Sequence, residues 1–501
     1  HEQRREPHRA TAVALLREND DGDVFLRHAA VLALHRIGAH DALAALAGDG
    51  SRAVRLAALL VLRQAGDARI VAFLEDSDPL LVVEAARAIY DGPIEGAMPA
   101  LASLALRPGG LEPVALGDRQ IGEALHRRVI GANVRLRTRE GVVALARYVA
   151  DERQQESLRT LALEQLGSYA EPPVRDLTMG FHRPLAPTDR SLVASVLESE
   201  GRALVESSLG ARALEIAGAY GVSPLTDGEL IARVTSLEAG EPVRLAALSA
   251  LRSRIDSGAG KGGKSKSGTM PDAPLGADLR AVAEKGVADA SPAIRMAARD
   301  LLHAVDPEAG LESYFVALES GKDPAEQRHA WRRVGAIDDD RARDVITQGL
   351  VYWEMGELDD DVALDVIEAG LVQPDPALAD RARALLATSA ERPVESRRWA
   401  LAGGDPVAGR AVFQTVGDCQ RCHGDPEAAL ETPGHGGGIG PSLAGIAAKG
   451  PHFALESVLE PGAQIAAGFA SPSGMPPVGR VLEPKALRDL VAYLMSLEGL
   501  D

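Results

Sequence analysis

Apolar residues along most of this chain fall in short blocks at helical spacing, without the strict alternation that marks a half-buried strand. "RHAAVLALHRIG" (Arg27 to Gly38) and "RLAALLVLRQAG" (Arg55 to Gly66) share an arginine, an Ala-Ala pair and a closing glycine in one register, and Ala85-Ala86 continue it. Related blocks return as "PVRLAALSALRSR" from Pro242, "PAIRMAARDLLHAV" from Pro292 and "PALADRARALLATS" from Pro376. Each opens on residues suited to a helix start. Proline fits the first turn, a preceding Asp or Ser caps free N–H groups, and the small Ala pair lets a second helix approach closely. One helical pair cannot bury its own apolar stripe, so the pattern predicts a stack of pairs over residues 1–400 with a continuous core.

These blocks resemble short HEAT-type repeats, which implies an α-solenoid of roughly ten helix pairs. Two stretches interrupt it. "DSGAGKGGKSKSGTMPDAPLG" has almost nothing to bury and predicts a mobile loop over about 256–276. "MGFHRPLAPTDR" (Met179 to Arg190) carries two helix-breaking prolines and predicts an irregular insertion, with His182 and Arg183 at its surface. The run Asp359, Asp360, Asp361 reads as a solvated acidic turn between helices, with cation binding as the other reading.

Composition sharpens this picture. Hydrophobic residues make up 46% of the 501 residues but aromatics only 3%, so the cores are filled by Ala, Leu and Val in closely packed helices. A formal charge of -18 argues against general nucleic-acid binding, which needs Lys and Arg to neutralise phosphates. No run of about 18 apolar residues occurs, so no membrane-spanning segment is predicted. The chain begins HEQRREPHRA, with neither an initiator Met nor a signal-peptide pattern, and reads as a fragment or processed chain whose upstream part is missing.

After Arg397-Arg398 the character changes. Glycines and prolines recur through "ALAGGDPVAGRAVF" and "GHGGGIGPSLAGI", and a second domain is expected over residues 401–501. It holds the chain's 2 cysteines, Cys419 and Cys422, with His423 directly after. A disulfide framework needs more cysteines or other spacing. A zinc site needs two more ligands, and His435 and His452 stand at no recognisable zinc spacing. A thioredoxin-like pair calls for a βαβ context that is absent. Covalent haem attachment remains: two thiols add to the haem vinyl groups and the adjacent histidine is held against the iron. For the sixth position Met475, in the Pro-rich "SPSGMPPVG", is favoured over Met495, whose spacing to Leu487, Leu490, Val491 and Leu494 marks a core residue. His452 or His435 is the alternative, and an open site the third.

At "GRAVF", "CQRCH", "GIGPSLAGI", "MPP" and "LRDLVAYLMSL" the last hundred residues resemble the class I cytochrome c family. That resemblance implies an all-α fold, a HEAT-like α-solenoid followed by a small cytochrome c domain, with haem c as covalent cofactor. It further implies that the Pro441 carbonyl orients His423, that Gly440, Pro441 and Leu443 line the haem, and that Phe413 meets Leu490 and Tyr493 where the first and last helices cross. The stretch "DPEAALETPGHGGG" between motif and Pro441 is longer than the family pattern. Repeats ending in such a domain resemble planctomycete-type haem-binding CxxCH proteins, in which a dehydrogenase-like propeller commonly precedes the repeats. Nothing in this chain reads as propeller blades.

The expected function is electron transfer: haem c takes electrons from a dehydrogenase domain upstream or from a redox partner protein, while the repeats make protein–protein contacts. Attachment of haem c implies an exported or periplasmic location. The alternative is an interaction scaffold whose haem senses redox state or a gas. No catalytic triad, phosphate-binding glycine loop or paired carboxylates at a convincing spacing are found in the array.

Overall fold

A computed structural model describes residues 2–38, 40–107, 111, 119–236, 238–261, 273–320, 323–387, 391–431 and 439–498. Among these the secondary structure is helical, with no β-strand and one isolated antiparallel bridge, Arg175 to His182. The chain divides into two compact units, His1–Ala273 and Pro274–Asp501.

In the first unit, successive helices pack on their neighbours in sequence, from Val24–Ile37 and Arg52–Ala65 through Pro79–Asp91, Arg119–Leu136 and Arg139–Ala150 to Glu241–Lys261. The local chemistry accounts for the boundaries. Asp23 accepts hydrogen bonds from the Phe25 and Leu26 amides, Asp78 caps a helix that begins on Pro79, and Thr226 with Glu229 forms a reciprocal capping box. The paired alanines Ala57, Ala58, Ala85 and Ala86 are fully buried, as close helix packing requires. The arginine of two of these blocks, one in each unit, has a structural task as well. Arg55 pairs with Asp76 at 2.8 Å and donates to the Asp49 carbonyl at 2.9 Å, and Arg295 likewise pairs with Glu326 and donates to the Asp289 carbonyl at 2.7 Å.

Between the helices Glu156–Gly167 and Arg190–Val205 the chain is irregular, as the two prolines predict. The expected loop at 256–276 is narrower than its composition suggests. The Glu241–Lys261 helix continues past Asp256, which takes an i,i+4 bond from Arg252 at 3.2 Å, and the next helix begins at Ala273. The stretch 262–272 lies outside the described residues. Asp359 serves as an N-cap, accepting from the Asp361 amide at 3.0 Å, and no cluster of three metal-binding side chains occurs among the described residues.

In the second unit the helices Pro292–Val305, Pro324–Gly335, Asp340–Met355 and Asp360–Val372 are followed by Pro406–Gln414, Gly450–Leu459 and the terminal Pro484–Ser496. One hydrophobic cluster runs through all of this later part. It contains Leu311, Trp331, Trp353, Trp399, Phe413, Leu455 and Leu490, and so takes in every tryptophan of the chain.

Candidate functional site

The site begins with a helix crossing. Asp405 caps the Pro406–Gln414 helix by accepting from the Val407 and Ala408 amides, and Pro406 fills its first turn. This helix lies against the terminal helix with almost no gap. A Cβ at Gly409 would stand 1.9 Å from the Asp489 carbonyl oxygen, so only glycine admits that approach. Phe413 is buried with its ring 5.4 Å from that of Tyr493 and tilted at 60°, and Leu490 is fully buried in the same cluster. The Tyr493 phenol is pushed up to about 12 by burial and by Glu427, to which it donates at 3.4 Å. Asp489 is fixed from two sides, accepting from the Asp405 amide at 2.9 Å and pairing with Lys485.

The chain leaves this helix through a tight turn. Asp418 adopts φ +47, the Cys419 amide donates to the Phe413 carbonyl at 2.9 Å, and one helical turn, Gln420–His423, follows. Both cysteines are free thiols and partly buried. Burial, with the Asp418 charge adding to it, pushes the Cys419 thiol up to about 11. Catalytic and redox cysteines have the opposite signature, a lowered value that keeps the thiolate populated.

His423 is buried, 7% exposed. Its Nδ1 lies 2.8 Å from the Pro441 carbonyl oxygen. A carbonyl only accepts, so Nδ1 carries the proton and Nε2 the lone pair, which is the tautomer a metal ligand needs. The Gly440 amide closes the arrangement by donating to the Cys422 carbonyl at 2.9 Å. A Cβ at Gly440 would stand 2.9 Å from both Cε1 and Nδ1 of the imidazole, so the close passage of 439–441 past the ring depends on glycine.

The remaining expected residues fall as follows. Cys419, Leu443 and Met475 all pack, partly buried, against the cluster that contains Phe413, Leu490 and Tyr493. Met475 also lines an open cleft of about 480 Å3 with Leu459, Pro461, Pro477 and Arg480, and neither His423 nor the two cysteines border it. Arg480 secures that edge by donating to the Leu459 carbonyl at 3.0 Å and pairing with Glu460 at 3.2 Å. Met495 packs against the core, as its spacing predicts. Of the alternative ligands, His452 is exposed on the Gly450–Leu459 helix and His435 lies outside the described residues.

Several contributors carry no motif. Glu427 holds both Tyr493 and Arg410, and Arg488 of the terminal helix pairs with Asp365 at 2.6 Å in a buried contact. Their partners are far away in sequence, and nothing local announces them.

The donor set fits a covalently attached haem: two free thiols on one turn and a buried imidazole with its outer nitrogen engaged. Residues 406–498 match the cytochrome c family. No curated protein sequence matches the chain. Among solved structures, an engineered protein known from a crystal structure aligns at a TM-score of 0.31 and 16% identity, covering 80% of this chain and 93% of its own, a likeness too slight to carry an argument. The chain is thus an all-helical protein ending in a cytochrome c domain, with haem c and its iron as the covalent cofactor and haem-based electron transfer as its chemistry.

Proposed function

We propose that residues 401–501 form the haem-bearing domain of an electron carrier, in which Cys419 and Cys422 would anchor the haem as thioethers and His423 and Met475 would ligate its iron. Residues 1–400 serve as a HEAT-like scaffold, and the electrons come from a dehydrogenase, either a domain upstream or a partner protein. The organisation is that of the planctomycete-type haem-binding CxxCH proteins, and the working location is exported or periplasmic.

The observation that carries this reading is the buried His423 with its Nδ1 proton held by the Pro441 carbonyl at 2.8 Å, one residue after a free Cys-x-x-Cys pair. Bound haem c supplies the one-electron redox chemistry. The chain's own residues do the rest. The two thiols, Cys419 at the start of the Gln420–His423 turn and Cys422 within it, would hold the haem there. Pro441 orients the imidazole and raises its basicity, which favours the oxidised iron. Leu443, Phe413 and Leu490 keep water from the site, so little solvent reorganises when charge changes. Met475, whose backbone amide donates a hydrogen bond to Ser473 Oγ at 3.2 Å within the same loop, would offer its thioether.

The test is a pair of visible spectra, oxidised and reduced, of protein made with haem c maturation, for the native chain and for Met475→Ala. A weak far-red sulfur-to-iron band in the oxidised native protein, lost in the variant, is expected together with reversible reduction. An unchanged spectrum moves the sixth ligand to His452 or His435. A native sixth position that is vacant or taken by added gas or imidazole replaces electron transfer with sensing.

A further inference from the structure

The irregular insertion of the first unit folds back onto the helices Pro79–Asp91 and Arg119–Leu136 around one carboxylate. Asp176 is buried, 8% exposed. Its Oδ1 accepts from the Thr178 and Met179 amides at 2.9 and 3.0 Å, and its Oδ2 accepts from the Tyr90 phenol at 2.7 Å. Two guanidinium groups also converge on Oδ2, Arg135 at 3.7 Å and Arg183 at 3.6 Å. Both arginines are largely enclosed, with side chains 14% and 17% exposed.

The charges do not balance. Two enclosed cations face one anion, and that anion's oxygens are already taken by two amides and a phenol. Arginine cannot shed its proton to relieve the excess. Arg135 Nε and Arg183 Nη2 are buried without a hydrogen-bond partner among the described residues. Both residues line one cavity of about 20 Å3, with Tyr90, Gln165, the exposed Arg175 and Asp176 itself also on its wall. That volume holds a single small particle, on the order of one water or one monatomic ion. A water satisfies the two N–H groups but leaves the positive charge uncompensated, and burying an uncompensated charge is the costlier fault. A carboxylate or phosphate is too large.

We propose that this cavity is a binding site for a chloride-sized monoanion, held by Arg135 and Arg183, which locks the 168–189 insertion onto the helical stack. It is independent of the haem domain. With the anion in place each guanidinium gains a charge-assisted hydrogen bond, and the site as a whole approaches neutrality.

Full-length protein is prepared in gluconate and titrated with chloride or bromide at constant ionic strength, with the thermal midpoint as readout, and crystals are grown in bromide for anomalous scattering. The expected result is a saturable rise in midpoint with halide and an anomalous peak between Arg135 and Arg183. Arg135→Gln and Arg183→Gln should each raise the half-saturating halide concentration at least ~10-fold, since each removes a charge-assisted bond. Arg190→Gln, which alters an arginine stacked on Tyr220 at 4.8 Å and absent from the cavity wall, should leave the response unchanged. Equal midpoints in halide and gluconate, or bromide density that avoids this cavity, overturns the proposal. The native-protein diffraction decides the matter even if the Arg→Gln variants fail to fold.

Discussion

At the scale of single residues, the site turns on how one imidazole is held. Gly440 passes so near His423 that an added methyl group at 2.9 Å must push either the ring or the 439–441 segment away. Gly440→Ala is therefore expected to lengthen the His423–Pro441 bond, lower the basicity of the ligand and move the reduction potential of the haem-loaded protein upward, with an overpacking cost of ~1–3 kcal/mol in stability. Potentiometry and melting on the same sample check this, and an unchanged potential would mean that the Pro441 bond does not set the ligand's character. Cys419, Cys422 and His423 are legible in the sequence because covalent attachment imposes a fixed local spacing. Arg183 is not: its sequence context suggests a surface turn, yet it donates to the Tyr90 carbonyl at 2.9 Å across 93 positions. Whether an arginine is buried depends on what the chain brings back to it, and composition around the residue holds no record of that.

At the scale of elements, the terminal helix shows how far periodicity reaches. The spacing of Leu487, Leu490, Val491 and Leu494 announces one apolar stripe, and all four are buried. Arg488 and Asp489, which the same pattern leaves to solvent, are buried too, because the helix is covered on a second side. Arg488 meets Asp365 of the Asp360–Val372 helix with side-chain exposures of 5% and 2%. Removing one partner of such a pair strands the other charge in the interior, so Arg488→Met or Asp365→Leu alone should destabilise the second unit by ~3–5 kcal/mol, while the double variant should recover much of the loss. Urea titration of the three variants tests this, and additive losses would refute it. Glu368, on the same helix as Asp365, has its carboxyl raised above its ordinary 4.5 by burial and by the Asp365 charge, against the pull of Arg488, Lys485 and Arg332. A carboxyl that binds its proton more tightly when folded adds stability at low pH and loses it as pH rises from about 4.5 through the raised folded value. Relative to Glu368→Gln, the native protein should weaken over that window, and parallel stability–pH curves for the two would count against it.

At the scale of the molecule, helical class follows from the period of the blocks and the shortage of aromatic residues, but the distribution of those few aromatics is a property of the fold. Composition changes near Leu401, where glycine and proline become frequent, and such a change marks how the backbone is built without recording which surfaces are shared. In the second unit the cluster containing Phe413, Leu490 and Leu497 also contains Leu311, Trp331 and Trp399, so apolar surface on both sides of Leu401 is buried together. A chain cut to 401–501 keeps the Cys-x-x-Cys-His turn, Pro441 and Met475, and loses Trp399 and the Asp365 partner of Arg488. Haem attachment and its visible spectrum should then match those of residues 274–501, because every proposed ligand and anchor is retained. Stability should not match. Exposing the faces that packed on Trp399 should lower the unfolding free energy of the shorter chain by several kcal/mol, given ~25 cal/mol per Å2 of apolar surface, and so move its urea midpoint down. Urea titration followed by haem absorbance measures both quantities in one experiment. Equal midpoints would mean that the haem-bearing segment holds itself together and that the shared cluster adds contact without stability. A lower midpoint with an unaltered spectrum would separate two roles of the preceding helices: they would set how long the haem environment survives, while the residues around His423 set what that environment does.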